Sequence, residues 1–178
     1  MKLSIIVVTC GRVELGEAVR SVAEQTNPDD EVLIGRCAYT PEDRATAMAN
    51  VGAMRNRLMR EATGDWLMFL DDDDVYFHDA LDIVRSACSV QLPHIFRMRY
   101  PSGAELWIDP EIRPGNVGTP MFVIPNLPRK LGKWTGGDQH DYDFILDTVR
   151  LSGDVVWRQE SLALIAPAYG GVHGEERK

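Results

Sequence analysis

Apolar positions along the chain follow two alternating periods. Residues 3–8, "LSIIVV", are almost continuously apolar and β-branched, which fits a strand covered on both faces. Residues 31–35, "EVLIG", read as a second short strand, and 65–70, "DWLMFL", as another buried one. Between these runs the period becomes helical. Leu15, Ala18, Val19 and Val22 share one stripe of a helix over 13–25. Ala47, Val51, Met54 and Leu58, spaced four, three and four apart, form the stripe of a second helix over 40–64. Thr40 can cap that helix and Pro41 suits its first position. Glu42 and Asp43 favour the positive end of its dipole, and Gly64 stops it.

The second half is more mixed. Residues 78–90 predict a helix, and 94–100 with 104–108 predict an antiparallel pair around Pro101-Ser102-Gly103. Residues 113–119 read as a loop and 120–124 as a strand. A helix lies within 136–153, with Tyr142, Ile145, Leu146 and Val149 inward, and 154–157 and 161–166 are late strands. Strand–helix alternation followed by antiparallel character predicts one α/β domain over 1–178, with a mostly parallel central sheet and a mixed edge. Ligands of such sheets sit beyond the C-terminal ends of the strands. The loops after the first three strands are therefore the candidate site.

Composition narrows the picture. With 178 residues there is room for one real core, and 44% apolar with 26% charged residues is an ordinary globular balance. Nineteen Lys+Arg against 27 Asp+Glu give a net charge of −8, which argues against a general attraction to nucleic acid or anionic membrane. Cys10, Cys37 and Cys88 show no C-x-x-C spacing. Neither a disulfide framework nor a zinc ribbon is expected, and a reducing, cytoplasmic setting is. The apolar start is short and followed by a charged helix, so it reads as a buried strand rather than a leader. No run approaches the ~18–20 apolar residues of a membrane span.

The chemistry concentrates where "DWLMFL" runs into Asp71, Asp72, Asp73 and Asp74. Adjacent carboxylates repel one another unless something neutralises them. Hard cations such as Mg²⁺ or Mn²⁺ take oxygen ligands, often one or two carboxylates plus substrate phosphates. In an extended loop Asp71 and Asp73 point the same way, with Asp72 and Asp74 elsewhere. D-x-D is then a unit for one metal–diphosphate complex. The plainer alternative is a solvated acidic turn in which Asp71 or Asp74 caps the next helix.

"SIIVVTCGR" followed by "MRNRLMREATGDWLMFLDDDD" resembles the family 2 glycosyltransferases of the GT-A fold. The likeness covers most of 3–75 and returns near 136–152. It implies a Rossmann-like GT-A domain, with the donor part at about 1–92 and the acceptor side and base at about 93–178. It also implies a metal-dependent, inverting transfer from a nucleotide diphosphate sugar, UDP-sugar first, to an acceptor hydroxyl, with Mn²⁺ or Mg²⁺ as cofactor. By the same resemblance, donor contacts fall on Thr9, Gly11, Arg12, Arg55, Asn56, Asp71 and Asp72. Metal ligands fall on Asp71, Asp73 and His173. The catalytic base falls on Asp141, with Asp138 in reserve, and His140 stands where the family carries Glu. "GNVG" at 115–118 resembles the glycine loop beside the donor sugar. The second strand ends Gly35-Arg36-Cys37-Ala38, where the family commonly has an Asp-rich loop that reads the base.

Residues 94–134 carry six basic side chains (Arg97, Arg99, Arg113, Arg129, Lys130, Lys133) against three acidic ones (Glu105, Asp109, Glu111). That excess predicts an anionic acceptor, such as a lipid-linked glycan or a hydroxymethylated DNA base. Two other functions fit parts of the sequence. "FLDDDDV" suits a haloacid-dehalogenase-like phosphatase with Asp71 as nucleophile and Asp73 as acid/base. A nucleotide-sugar-binding module without turnover would explain His140 and the "GRCA" loop.

Overall fold

The computed structural model describes residues 1–38, 44–137 and 139–166. The first half alternates as expected: β1 (Leu3–Thr9), α1 (Leu15–Ala23), β2 (Glu31–Arg36), α2 (Arg44–Glu61) and β3 (Trp66–Asp71). Every residue of β1 is buried, because it lies between β2 and β3 and is parallel to both. The second half contributes β4 (Val75–Tyr76), α3 (Ala80–Ala87), β5 (His94–Arg99), β6 (Glu105–Leu106), β7 (Phe122–Pro125), α4 (His140–Ser152) and β8 (Val156–Leu164).

The sheet runs β2-β1-β3-β7-β5-β8-β4, with β6 added on β5. Among the described residues, β7 is antiparallel to both β3 and β5, β4 to β8, and β6 to β5. Only β2-β1-β3 and the β5–β8 pair are parallel. Antiparallel pairing therefore reaches the middle of the sheet, at β3–β7, and is not confined to an edge. The two late strands read from the sequence are one strand, β8, whose register against β5 shifts between Ile95 and Met98. The inward set of α4 is Phe144, Ile145 and Thr148, with Tyr142, Leu146 and Val149 half-buried. The expected cap at Thr40 and first turn at 41–43 lie outside the described residues. Among the described residues no helix is long and apolar enough to cross a membrane.

Two features position the site. β1 and β3 run side by side and end at the same edge, where Val8 is level with Asp71. β7 runs against β3 and pairs Pro125 with Trp66, so residues beyond 125 emerge at the opposite end. The second feature is α2. Its expected stripe is buried at Ala47, Val51 and Leu58, but Gly52, Arg55 and Met59 are buried as well. The segment 134–136 crosses this second face at backbone contact. A Cβ on Gly52 would come within 2.3 Å of the Thr135 carbonyl oxygen, and one on Gly136 within 2.6 Å of Ala49 Cα. Asn56 fastens the crossing: its side-chain amide donates to the Trp134 carbonyl (2.8 Å) and accepts from the Trp134 N–H (3.0 Å).

Candidate active site

Asp71 ends β3, and the three aspartates after it do not continue the strand. The Asp74 N–H donates back to the Asp71 carbonyl at 3.2 Å, which closes a turn, and the carboxylates fan out instead of alternating. Asp72 turns beneath the loop after β1. Its Oδ2 accepts the Thr9 hydroxyl at 2.6 Å and the Cys10 N–H at 3.2 Å. Thr9 Oγ1 in turn accepts the Gly11 N–H at 2.8 Å. Gly11 has φ +92°, a conformation open to glycine and strained for other residues. Asp73 pairs with Arg12 and Asp71 pairs with Arg55. Asp74 is buried and accepts the Ala166 N–H at 2.8 Å.

A cavity of 380 Å³ opens at this edge. Gly11, Arg12, Arg55, Asp71, Asp73 and His140 are among its walls, and Asp72 lies there too. Burial raises the Asp73 carboxyl above its ordinary range, and Asp71 adds to the effect while Arg12 opposes it. Burial also raises Asp74, well above that range, with Asp71 and Asp73 as the next causes. Cys10 is pushed up by burial and by Asp72, so its thiol stays neutral. Four carboxylates (Asp71, Asp72, Asp73 and Asp141) thus lie within 4 Å of two guanidinium groups, Arg12 and Arg55. That excess, with Asp71 and Asp73 offering hard oxygen atoms to one cavity, fits a divalent cation completed by phosphate oxygens. The described residues do not by themselves form a closed metal-binding cluster of three or more His, Cys, Asp or Glu. His173, expected as a further ligand, and Asp138, the reserve base, lie outside the described residues.

Arg55, expected at the donor and standing off the apolar stripe of α2, is only 2% exposed. Its guanidinium lies over the Trp134 ring, 4.3 Å from the centroid, and Trp134 stacks on Phe144 at 4.1 Å. Nη2 pairs with Asp71, while Nη1 lies 3.1 Å from His140 Nδ1 and 3.9 Å from Asp141 Oδ1. One buried cation therefore links the expected donor-side carboxylate to the expected base. Asn56, expected at the donor, does not line this cavity. Its amide is taken up by Trp134, and it supports the aromatic platform under Arg55. Thr119, one turn before β7, was not singled out by its sequence. It is 1% exposed and donates its hydroxyl to Asp141 Oδ1 at 2.7 Å. In the loop before it, Asn116 accepts the Ile108 N–H and donates to the Asp109 and Glu111 carbonyls. "GNVG" is thus a braced segment and not a simple hairpin turn.

Residues 47–86, the stretch from α2 through the aspartates into α3, match the sequence family described as Glycosyl transferase family 2. An uncharacterized glycosyltransferase of Haemophilus influenzae is 27% identical, over 81% of this chain and 60% of that protein. S. aureus TarS 1–349, solved in complex with UDP-GlcNAc, superposes with a TM-score of 0.68 at 16% identity, over 92% of this chain and 58% of that one. The fold is that of the GT-A glycosyltransferases, and residues 47–86 are similar to family 2. A glycosyltransferase involved in glycosylation of the major capsid of PBCV-1 matches this fold over nearly the full length of both chains. It covers 98% of this one and 99% of that one, with a TM-score of 0.54 at 9% identity. The chain spans about three-fifths of the H. influenzae relative. The haloacid-dehalogenase alternative has no support from these likenesses, and both of its proposed catalytic aspartates are paired with arginines.

Proposed function

We propose that this chain transfers a sugar from a nucleotide diphosphate sugar, UDP-sugar first, to an acceptor hydroxyl by direct displacement with inversion. One observation carries the reading: Asp71, Asp73, Arg12, Arg55 and His140 line one cavity at the C-terminal ends of β1 and β3, and Asp141 stands behind it against Arg55 and His140. The preference for UDP is supported by TarS, which has been solved with UDP and with UDP-GlcNAc.

The chain's own residues divide the work as follows. Arg12 and Arg55 reach the cavity as guanidinium groups suited to phosphate oxygens. Asp71 and Asp73 are the residues that would hold Mn²⁺ or Mg²⁺. When bound, such a cation supplies charge neutralisation for the departing diphosphate. Asp141 takes the proton of the acceptor hydroxyl as that oxygen attacks the anomeric carbon.

The basic excess of 94–134 lends little to an anionic acceptor. Arg97 and Arg99 both pair with Glu105, and Arg113 with Glu111. Arg129, Lys130 and Lys133 follow β7, and Arg129 and Lys130 emerge at the end of the sheet away from Asp71. The proposed acceptor is accordingly a hydroxyl compound of unassigned charge.

Calorimetry of UDP with Mn²⁺ or with EDTA, on wild type and Asp73→Ala, tests the donor site. The expected result is binding that requires the metal and weakens about 10- to 100-fold in Asp73→Ala, the scale of one lost charged contact. Absence of nucleotide binding under every condition would overturn the proposal. Binding without release of UDP from any UDP-sugar would point instead to a binding module.

A further inference from the structure

Asp141 holds its two carboxylate oxygens in different surroundings. Three polar atoms approach Oδ1: Thr119 Oγ1 at 2.7 Å, His140 Nδ1 at 3.1 Å and Arg55 Nη1 at 3.9 Å. Their chemistry separates them. Arg55 lies beyond hydrogen-bond range of Oδ1. Arg55 can only donate, and its Nη1 is 3.1 Å from His140 Nδ1. In the tautomer that accepts from Arg55, that nitrogen presents its lone pair to Nη1 and has no proton to offer Asp141. The Thr119 hydroxyl is left as the one donor to Oδ1 among the described residues. Oδ2 has no hydrogen-bond partner among them.

The placement of Thr119 makes this contact hard to exchange for water. Thr119 opens a single 3₁₀ turn, Thr119–Met121, which is buried throughout. The turn leads directly into β7, itself buried at every residue. Its hydroxyl is thus fixed by the sheet, while Asp141 sits in the first turn of α4. The contact joins two elements that are 22 residues apart.

We infer that Thr119 is a positioning residue: it holds Asp141 Oδ1, so that Oδ2 is the atom that takes the acceptor's proton. The inference rests on the proposed role of Asp141 as base. The proton moves from the acceptor oxygen to Oδ2 as that oxygen bonds to the anomeric carbon and the bond to the leaving diphosphate breaks. Oδ1 keeps the Thr119 hydrogen bond throughout. Without the hydroxyl the carboxylate can rotate, and misplacement of a reacting group by about 1 Å can cost roughly 100-fold in rate.

The test uses UDP-GlcNAc with Mn²⁺, with water as acceptor and released UDP as the readout, on wild type, Thr119→Val, Thr119→Ser and Asp141→Asn. The expected result for Thr119→Val is a kcat lowered about 10- to 100-fold with a donor KM within about twofold of wild type. Thr119→Ser, which restores the hydroxyl, recovers most of kcat. An inactive Asp141→Asn beside a fully active Thr119→Val overturns the inference and leaves the base in place. Unchanged turnover in Asp141→Asn removes the base assignment and the inference with it. A second measurement needs no turnover. Crystal structures of Thr119→Val should show Asp141 in more than one rotamer, and of Thr119→Ser in one. A single, unmoved Asp141 in Thr119→Val would overturn the inference on its own.

Discussion

Arg55 shows how a residue's burial can be hidden from its sequence. It stands off the apolar stripe of α2, beside Asn56 and Arg57, and local periodicity assigns all three to solvent. Arg57 does lie there, paired with Glu61 one turn on. Arg55 is buried because Trp134, almost 80 residues later, covers it, and no local pattern encodes that cover. The same holds for Thr119, a single threonine between a glycine and a proline. The aspartate run was legible as a site because four carboxylates in succession need an explanation from any neighbour. Its geometry was not, since a turn and an extended loop share the same composition. Replacing Arg55 with Met would strip Asp71 of its buried counterion. Removing one partner of a buried pair costs ~3–5 kcal/mol. Asp71 still reaches solvent at 35% side-chain exposure, so the expected loss is about 3 kcal/mol, the low end of that range. Urea unfolding of Arg55→Met against wild type measures it.

At the level of elements, β1 and β3 follow directly from their continuous apolar runs and the helices between them from their stripes, whereas β2 is an edge strand in which only Gly35 is buried and α2 buries a second face as well. The second half was less legible. β4 is two residues long, and β8 is interrupted by a change of register, so neither offers a full period. The most consequential element contact, 134–136 across α2, depends on two glycines. Gly52→Ala would drive a methyl into the Thr135 carbonyl. Backbone cannot rotate away as a side chain can, and overpacking of this kind costs ~1–3 kcal/mol. Gly16 lies in α1 with nothing within 4 Å of its missing Cβ. Gly16→Ala should gain about 0.5–1 kcal/mol, the ordinary helix benefit. Opposite shifts in urea midpoint are therefore expected. Equal shifts in one direction would show that the crossing is not rigid.

At the scale of the whole molecule, one source of acid sensitivity among the described residues is a buried histidine. This is His94, fully buried at the far end of β5. Trp66 meets the His94 ring edge-on and Phe96 stacks on it. Nε2 is 3.1 Å from the Val90 carbonyl, and Nδ1 accepts from Arg158 Nε at 3.2 Å. Burial lowers its pKa; the Val90 carbonyl partly opposes this and Arg158 adds to it. A histidine held below its unfolded value contributes stability that is fully present above about pH 6.5 and is lost as pH falls through the folded value. Over that window wild type should lose up to ~1.4 kcal/mol per pH unit more than His94→Gln. Urea midpoints between pH 7.5 and 5 would show it, and parallel losses would place the acid sensitivity elsewhere.

The pairing of Asp71 with Arg55 and of Asp73 with Arg12 has a consequence for how the cavity would fill. Each expected ligand already has a cationic partner, so a lone divalent ion would have to evict two guanidinium groups and leave them stranded. Accompanied by a diphosphate, it would trade partners instead: carboxylates to the ion, guanidiniums to the phosphates. On the proposed donor chemistry, ion and nucleotide would then each tighten the other's hold, and by thermodynamic linkage to the same degree.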